Sequence, residues 1–327
     1  MSKKKNAKNK KSVKTVDAVE KPGVVEAWAL AARPKTLAAA CSPVIVGVGL
    51  AYRDIADGRA VSDVFVLVPA LCCLAFALLA QVAANFINDY ADFKKGADGG
   101  ERKGPRRAVA NGWISPRAML TGTFVALAVA CLFGLVTLLY VAPEHRATLV
   151  GIGAVCCVFC LLYSAGPLPL AYIGLGDVLV VAFFGVVAVC FTYFVQTLTF
   201  TLDSALLGTA IGFATDNILV SNNYRDRDED RAAGKFTLIA VFGERFGRYF
   251  YLVNGLIVIA LVAAIYVRRE WWDPVGVGAL VVYLALHLRA WRILARIRSG
   301  AGLVRALALS SANLLILSVM LAFAFVF

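Results

Sequence analysis

Nine long apolar stretches, separated by short polar segments, dominate the chain. A helix that crosses a bilayer needs about 20 mainly apolar residues, and the stretches come close to that length. The first is short and contains Pro43, which makes it the weakest of the nine. The pattern predicts an all-α, polytopic membrane protein with about nine transmembrane helices. The predicted spans are 36–52, 63–87, 118–141, 146–163, 172–198, 203–221, 247–267, 274–290 and 304–326.

The N-terminus differs from the rest of the chain. Residues 1–22 are rich in lysine and lack the apolar core of a signal peptide, so we expect a disordered basic tail in the cytoplasm. Residues 24–32 (VVEAWALAA) predict a short helix at the membrane interface, with Trp28 near the lipid headgroups. Residues 23–327 are predicted to form a single transmembrane domain.

Composition supports the membrane assignment, and charge adds an orientation. Of the 327 residues, 60% are hydrophobic and 17% are charged, whereas a soluble domain carries about 25% charged residues. The formal net charge is +12. A cytoplasmic N-terminus leaves only five of the 33 lysines and arginines on the opposite side, as the positive-inside rule requires. The basic excess therefore follows membrane topology, which argues against nucleic-acid binding. The five are Arg53, Arg59, Arg146, Arg268 and Arg269.

Two acidic segments follow predicted spans on the same side of the membrane. The first, residues 88–98, has the sequence NDYADFKKGAD. Asn88 and Asp92 are four residues apart, so they share one face if the preceding helix continues through them. We expect Gly96 to end this helix and Asp98 to return from the loop that follows.

The second acidic segment, residues 222–230, has the sequence NNYRDRDED. Asn222, Asp226 and Asp230 follow one another at intervals of four residues, which places all three along one face of a continuing helix. Each segment thus offers two or three oxygen ligands that converge on one point. A single such cluster could be a solvated loop, but two at the ends of spans on one side of a membrane indicate a site.

These ligand types predict magnesium and a phosphorylated substrate. Carboxylate and amide oxygens suit Mg²⁺, which is commonly held by one or two carboxylates together with substrate phosphates. Two clusters on one side of the membrane therefore suit a diphosphate bridged by Mg²⁺. Nearby basic side chains could bind the remaining phosphate oxygens. They are Arg102, Lys103, Arg106 and Arg107 after the first segment, and Arg225 and Lys235 around the second.

Other polar residues within the spans give weaker signals. Asp216 and Asn217 lie deep in the sixth span, and Asp177 lies near the start of the fifth. They could line a polar cavity or form hydrogen bonds between helices. The two histidines have no carboxylate or serine at catalytic spacing, and Cys157 and Cys160 have no second pair that would complete a zinc site.

With these motifs the chain resembles the UbiA-type intramembrane prenyltransferases over about residues 26–327. Within that family it is most similar to the branch that prenylates 1,4-dihydroxy-2-naphthoate in menaquinone synthesis. The segments that carry the resemblance are 32–37 (ARPKTL), 88–98, 102–107 (RKGPRR), 163–170 (YSAGPLPL), 174–177 (GLGD) and 222–238 (NNYRDRDEDRAAGKFTL).

The resemblance implies a helical bundle with a central cavity, in the plasma membrane, with its active site on the cytoplasmic side. It implies that a polyprenyl diphosphate, held through Mg²⁺, loses its diphosphate and that 1,4-dihydroxy-2-naphthoate attacks the allylic carbon and then loses its carboxylate. The implied residues are Asn88, Asp92, Asp98, Asn222, Asp226 and Asp230 for metal, Arg102, Arg107, Arg225 and Lys235 for diphosphate, and Arg33, Lys35 and Tyr163 for the acceptor. Asp92, Asp226 and Tyr163 are the implied catalytic residues.

Alternatives stay open at this point. Enzymes of this family that act on 4-hydroxybenzoate usually carry a Lys-Arg pair shortly after the tyrosine that matches Tyr163, and this chain has SAGPLPL there instead. Homogentisate, 4-hydroxybenzoate or a tetrapyrrole nevertheless remain possible acceptors. A transporter that uses the acidic clusters is a different class, and it would place them near the middle of the bilayer.

Overall fold

The structure, a computed structural model, describes residues 22–96 and 106–327. Within these residues all regular secondary structure is helical, and nine spans are long and apolar enough to cross a membrane. The predicted class and number of spans are therefore confirmed. The α-helices are α1 Val24–Ala32, α2 Ala38–Ala56, α3 Leu67–Lys94, α4 Pro116–Thr137, α5 Pro143–Leu162, α6 Gly176–Val181, α7 Ala188–Thr197, α8 Leu202–Ala232, α9 Leu238–Arg269, α10 Pro274–Arg296 and α11 Val304–Val326.

Local sequence explains where several helices begin and end. α4, α5 and α10 each start with a proline at the first helical position, where a missing N–H group costs nothing. Thr201 and Ser204 exchange hydrogen bonds in a capping box at the start of α8. α3 and α8 end before glycines in the left-handed region, Gly96 (φ 69°) and Gly234 (φ 70°). Residues 88–94 and 222–230 therefore occupy the last turns of α3 and α8, and Gly96 lies where the sequence predicts a helix end.

α8 is the central helix of the bundle. Leu207, Ile211 and Ala214 belong to its buried face and pack with residues of α2, α7, α9, α10 and α11. The helix continues eleven residues past the predicted span end at 221, because polar side chains are buried along its last turns. α5 is the opposite case, since none of its residues is fully buried. α9 also begins earlier than predicted and has a break at Gly243 (φ 85°).

A π-helical turn, Ala182–Val187, joins α6 to α7, and glycines let this region approach α8 closely. Gly208 and Gly212 are four residues apart on α8, and Gly185 lies opposite them. Small residues at this spacing are typical of close helix contacts in membranes. A Cβ atom at Gly212 would lie 2.7 Å from the carbonyl oxygen of Val181, so a larger side chain would force the helices apart.

The end of the bundle away from the acidic segments is held by buried ion pairs. The guanidinium of Arg269, at the end of α9, binds Asp54 of α2 through both terminal nitrogens and donates from Nε to Asp203 of α8 at 2.6 Å. Tyr193 of α7 donates to Asp54 at 2.7 Å. The Arg269 guanidinium also lies 4.6 Å from the ring centre of Trp271. Four helices are thus joined through two carboxylates.

Candidate active site

A small polar cavity lies where α3 and α8 end, and both acidic segments form its wall. Its volume of about 50 Å³ admits a few water molecules or a small ion. Five of the six predicted metal ligands line it, while Asp98 and the predicted diphosphate ligand Arg102 lie outside the described residues. The polar side chains of the wall are Asn88, Asp92, Arg107, Tyr163, Tyr172, Asp177, Asn222, Asp226, Asp230 and Lys235.

The first acidic segment binds the chain that follows it. Asp89 accepts hydrogen bonds from the backbone N–H groups of Ala108 (2.9 Å) and Val109 (3.4 Å). This anchors the turn that begins after Arg107 and brings the Arg107 guanidinium to Asp92 at 2.9 Å. Asp89 therefore positions the site, whereas Asp92, three residues further along α3, faces the cavity.

The second segment pairs its carboxylates with its own basic residues. Arg225 is buried and donates to both carboxylate oxygens of Asp226, at 2.5 and 2.6 Å, and to the Asn222 amide oxygen at 2.6 Å. Lys235 lies 3.4 Å from the Asp230 carboxylate. The second oxygen of Asp230 is buried and accepts no hydrogen bond from the described residues. A residue of the cavity wall thus keeps one acceptor oxygen unsatisfied.

The chemistry of the site suits a hard cation even though no ready-made cluster is present. Among the described residues, no three His, Cys, Asp or Glu side chains lie close enough together to hold a metal ion. Instead the carboxylates of Asp92, Asp226 and Asp230 each contact a basic side chain. The oxygen donor set and the unsatisfied oxygen of Asp230 fit a Mg²⁺ ion whose remaining ligands come from a phosphorylated substrate.

The three predicted acceptor-binding residues occupy different places. Tyr163 lines the polar cavity, and burial raises the pKa of its phenol well above the usual value, with the nearby Asp177 and Asp216 carboxylates adding to the shift. The phenol therefore stays protonated and is able to donate a hydrogen bond to a ligand. Arg33 lines the apolar cavity described next. Lys35 is exposed and lines neither cavity, and its backbone carbonyl accepts a hydrogen bond from Ser311 at 2.7 Å.

A large apolar cavity adjoins the polar one. It has a volume of about 520 Å³ and shares Asn88, Tyr163, Leu219 and Asn222 with the polar cavity, so the two spaces meet at these side chains. Its walls come mainly from α2, α3, α4, α5, α7 and α8 and from the π-helical turn. The apolar lining includes Ala77, Ala80, Ala84, Phe159, Phe183, Leu179 and Phe184.

Sequence reasoning missed Tyr172, which the fold brings to the first acidic segment. Its hydroxyl donates to Asp92 at 2.9 Å. The ammonium groups of Lys95 and Lys235 lie 3.9 and 5.7 Å from its ring centre. Burial lowers the pKa of Lys95 below its usual value, while the Asp92 carboxylate opposes that shift. Tyr172 is 80 residues from Asp92, and nothing in the local sequence around it signals this contact.

The chain is similar to known proteins over most of its length. Residues 40–311 match the model of the UbiA prenyltransferase family. A 1,4-dihydroxy-2-naphthoate octaprenyltransferase of Mycobacterium tuberculosis is 35% identical over 276 residues, which are 84% of this chain and 87% of that protein. A protein of the same name from Escherichia coli is 35% identical over 242 residues, covering 72% of this chain and 76% of that protein.

Solved structures of UbiA homologs have a fold similar to that of this chain. A UbiA homolog from Archaeoglobus fulgidus bound to GPP and Mg²⁺ superposes with a TM-score of 0.63 at 15% identity, covering 92% of this chain and 99% of that one. The apo structure of a UbiA homolog from Aeropyrum pernix K1 also gives a TM-score of 0.63, at 16% identity, covering 85% of this chain and 96% of that one. The chain is an integral membrane protein and belongs to the UbiA prenyltransferase family.

Proposed function

We propose that this protein transfers a polyprenyl group from a polyprenyl diphosphate to 1,4-dihydroxy-2-naphthoate, with loss of the carboxylate, to give demethylmenaquinone, formed as its quinol. The observation that carries the proposal is a polar cavity, walled by two acidic segments and basic side chains, that meets a large apolar cavity. A lipid donor with a charged head needs this combination. The names of the relatives from Mycobacterium tuberculosis and Escherichia coli support the choice of acceptor.

The two acidic segments are assigned to magnesium. Its ligands would be Asn88, Asp92 and Asp98 from the first segment, and Asn222, Asp226 and Asp230 from the second. Bound there, Mg²⁺ would supply positive charge that stabilises the diphosphate leaving group. The solved relative from Archaeoglobus fulgidus bound to GPP and Mg²⁺ supports this assignment.

Basic side chains are assigned to the diphosphate itself. Arg107, Arg225 and Lys235 now pair with carboxylates of the site, and Arg102 belongs to the same basic segment as Arg107. Exchange of carboxylate partners for diphosphate oxygens would keep these cations paired while substrate enters. Positive charge already held at the site favours breakage of the allylic C–O bond, because the leaving group gains charge in that step.

The acceptor is assigned to the junction of the two cavities. Tyr163 lies there and can donate a hydrogen bond to an oxygen of the acceptor. Arg33 lines the adjoining wall, and its charge suits the carboxylate of the acceptor. Lys35 lies two residues after Arg33 and is exposed, and it is assigned to guiding the anionic acceptor from the surface. The dihydroxylated ring is electron-rich, so its carbon attacks the allylic carbon as the C–O bond breaks.

The membrane placement follows from the charges. We place the N-terminal tail (residues 1–22) and the active site on the cytoplasmic side of the plasma membrane, because the opposite ends of the spans carry few basic residues. The polyprenyl chain would lie in the apolar cavity. This arrangement gives a water-borne acceptor access from the cytoplasm and a lipid donor access from the bilayer.

A competition assay with purified protein tests the substrate assignment. Polyprenyl diphosphate and Mg²⁺ are supplied with equal amounts of 1,4-dihydroxy-2-naphthoate, homogentisate and 4-hydroxybenzoate, and the prenylated products are separated by mass. We expect the naphthoate product to dominate. If another product dominated, the acceptor assignment would be wrong. Flux of a cation or polyanion across vesicles without prenyl transfer would instead favour a transporter.

Tyr163→Phe is expected to lower kcat about fivefold, since one hydrogen bond contributes about 1 kcal/mol. Because the raised pKa keeps the phenol protonated, the pH profile of kcat should keep its shape. Initial rates across the neutral pH range check both points. A change in the profile would show that the phenol takes part in proton transfer.

Ala77→Phe is expected to discriminate between donors of different length. Ala77 lines the apolar cavity, so a phenyl group there would fill space that a long chain needs. Overpacking of this kind costs about 1–3 kcal/mol, or roughly tenfold or more in kcat/KM for an octaprenyl donor. The kcat/KM for a geranyl donor should fall much less. Leu71→Phe on the exposed face of the same helix is the control, and it should leave kcat/KM unchanged for both donors.

A further inference from the structure

A second pair of carboxylates lies behind the polar cavity. Asp177 is buried at the start of α6 and lines the cavity wall. It lies beside Asp216 of α8, and the two carboxyl groups interact with each other. Asp216 is fully buried, and Asn254 of α9 donates to its second carboxylate oxygen at 2.8 Å. One oxygen of Asp177 and one of Asp216 accept no hydrogen bond from the described residues.

The close crossing of α6 and α8 builds this pair. Val181 and Gly212 are in contact where the helices cross. Asp177 lies one turn before Val181, and Asp216 lies one turn after Gly212, on the faces that meet because the two helices run in opposite directions. Gly212 thus has a role beyond packing, since its missing side chain lets the two carboxyl groups reach each other.

This pair differs from the other carboxylates of the site in its partners. Asp92, Asp226 and Asp230 each contact a basic side chain. Within residues 22–96 and 106–327, neither Asp177 nor Asp216 forms an ion pair with a lysine or arginine. Two neighbouring carboxyl groups with no basic partner do not both carry charge, because like charges repel, so the pair shares one proton and one carboxylate remains to accept another.

The geometry points to Asp177 as the group that takes the hydroxyl proton of the acceptor ring, with Asp216 and Asn254 as positioning residues behind it. We propose this role on the basis of the function proposed above. Asp177 is the carboxylate of the cavity wall that borders Tyr163 through the adjacent Gly176, where a Cβ atom would lie 3.2 Å from the Tyr163 hydroxyl. Asp216 keeps the shared proton, and Asp177, which lines the cavity, is the carboxylate available to the acceptor.

The proton balances over the reaction. As the ring carbon that bears the carboxylate bonds to the allylic carbon, the C–O electron pair leaves with the diphosphate. A ring O–H bond breaks, its proton passes to Asp177, and the oxygen becomes a carbonyl. Loss of CO₂ then returns an electron pair to the ring, and the carbonyl oxygen takes the proton back from Asp177. Asp177 ends as it began, and the products are the prenylated quinol, CO₂ and diphosphate.

Asp177→Asn tests the proposal. Asparagine keeps the shape of the side chain but accepts no proton, so the single-turnover rate should fall by about 10²-fold or more. The KM values for both substrates should change little. Asp177→Glu restores a carboxylate and should recover part of the rate. A loss under threefold in Asp177→Asn, with the wild-type protein active, would overturn the proposal without touching the proposed function.

A modified acceptor separates proton transfer from general damage to the site. Fluorine on the distal ring of the naphthoate makes the hydroxyl group more acidic, so less help from a base is needed. The ratio of the fluorinated to the normal acceptor rate should rise at least tenfold in Asp177→Asn relative to wild type. In Tyr163→Phe the ratio should stay at the wild-type value. An unchanged ratio in Asp177→Asn would contradict the assignment.

A measurement on the wild-type protein does not depend on folding of any variant. In single-turnover experiments with saturating substrates, transfer should be slower in D₂O than in H₂O, because an O–H bond breaks as the new C–C bond forms. The effect should be absent from Asp177→Asn. Equal wild-type rates in both solvents would overturn the proposal even if the variants fail to fold.

Discussion

Asp226→Asn is expected to reduce prenyl transfer about 10³-fold while the protein still folds. The substitution keeps the size of the side chain but removes the negative charge at the centre of the second acidic segment, where Arg225 binds both oxygens. Losing one group that stabilises transition-state charge costs about 10²–10³ in rate, and the assigned metal ligand is lost with it. Turnover at saturating Mg²⁺, together with thermal unfolding in detergent, measures both effects.

Asp228→Asn is the matched control for this experiment. Asp228 lies two residues further along α8 on a different face, and its side chain is 55% exposed. It should retain nearly full activity. Full activity of Asp226→Asn, or an equal loss in both variants, would contradict the assignment of the second segment to metal and diphosphate.

Asp54→Ala is expected to cause the largest loss of stability among the variants considered, about 3–5 kcal/mol in the free energy of unfolding. It leaves the buried Arg269 guanidinium without the partner that binds both of its terminal nitrogens, and it leaves the Tyr193 hydroxyl without its acceptor. Thermal unfolding of purified protein in one detergent measures the change.

Asp57→Ala, at the residue that follows the same helix, controls for the loss of a carboxylate. Asp57 pairs with Arg53 at 3.1 Å, but both side chains are partly exposed, at 28% and 33%. Such a pair contributes at most about 1 kcal/mol. If Asp54→Ala and Asp57→Ala lowered stability equally, the buried ion pairs would not hold this end of the bundle together.

The fold follows closely from hydrophobic patterning. Length and apolarity predict the nine spans, and the short helix before them has the bounds that the sequence predicts, 24–32. The end of α8 could not be predicted in this way, because polar residues of its last turns, such as Asn223, Arg225 and Asp230, are buried. A hydropathy value depends only on residue type, so it does not show whether the fold gives a polar side chain partners on a neighbouring helix.

The sequence predicts which residues form the candidate site, but not which of them contact one another. Helical spacing predicts that Asn222, Asp226 and Asp230 share a face, and all three line the polar cavity. Nothing local predicts that Tyr172 binds Asp92, since the two are joined only by the packing of distant segments. Nor does spacing place Lys35 outside both cavities, because only the turn after α1 decides which side of the chain faces inward.

The pairing also explains how a highly charged site is maintained at the edge of a bilayer. Unpaired charges are costly at membrane depth, and Arg107, Arg225 and Lys235 neutralise the carboxylates that the proposed reaction uses. The same cations are then available when a diphosphate arrives. The basic side chains would thus exchange carboxylate partners for diphosphate oxygens when substrate binds. Neither the free nor the substrate-bound site would then carry a large uncompensated charge.

Decarboxylating prenyl transfer to the naphthoate is the reaction proposed for this protein. It is tested most directly with 1,4-dihydroxy-2-naphthoate labelled at its carboxylate carbon, supplied with polyprenyl diphosphate and Mg²⁺ to the purified protein. We predict that labelled CO₂, diphosphate and prenylated quinol form in equal amounts, and that removal of Mg²⁺ stops all three. Diphosphate release without labelled CO₂, or a prenylated product that keeps the label, would contradict the account.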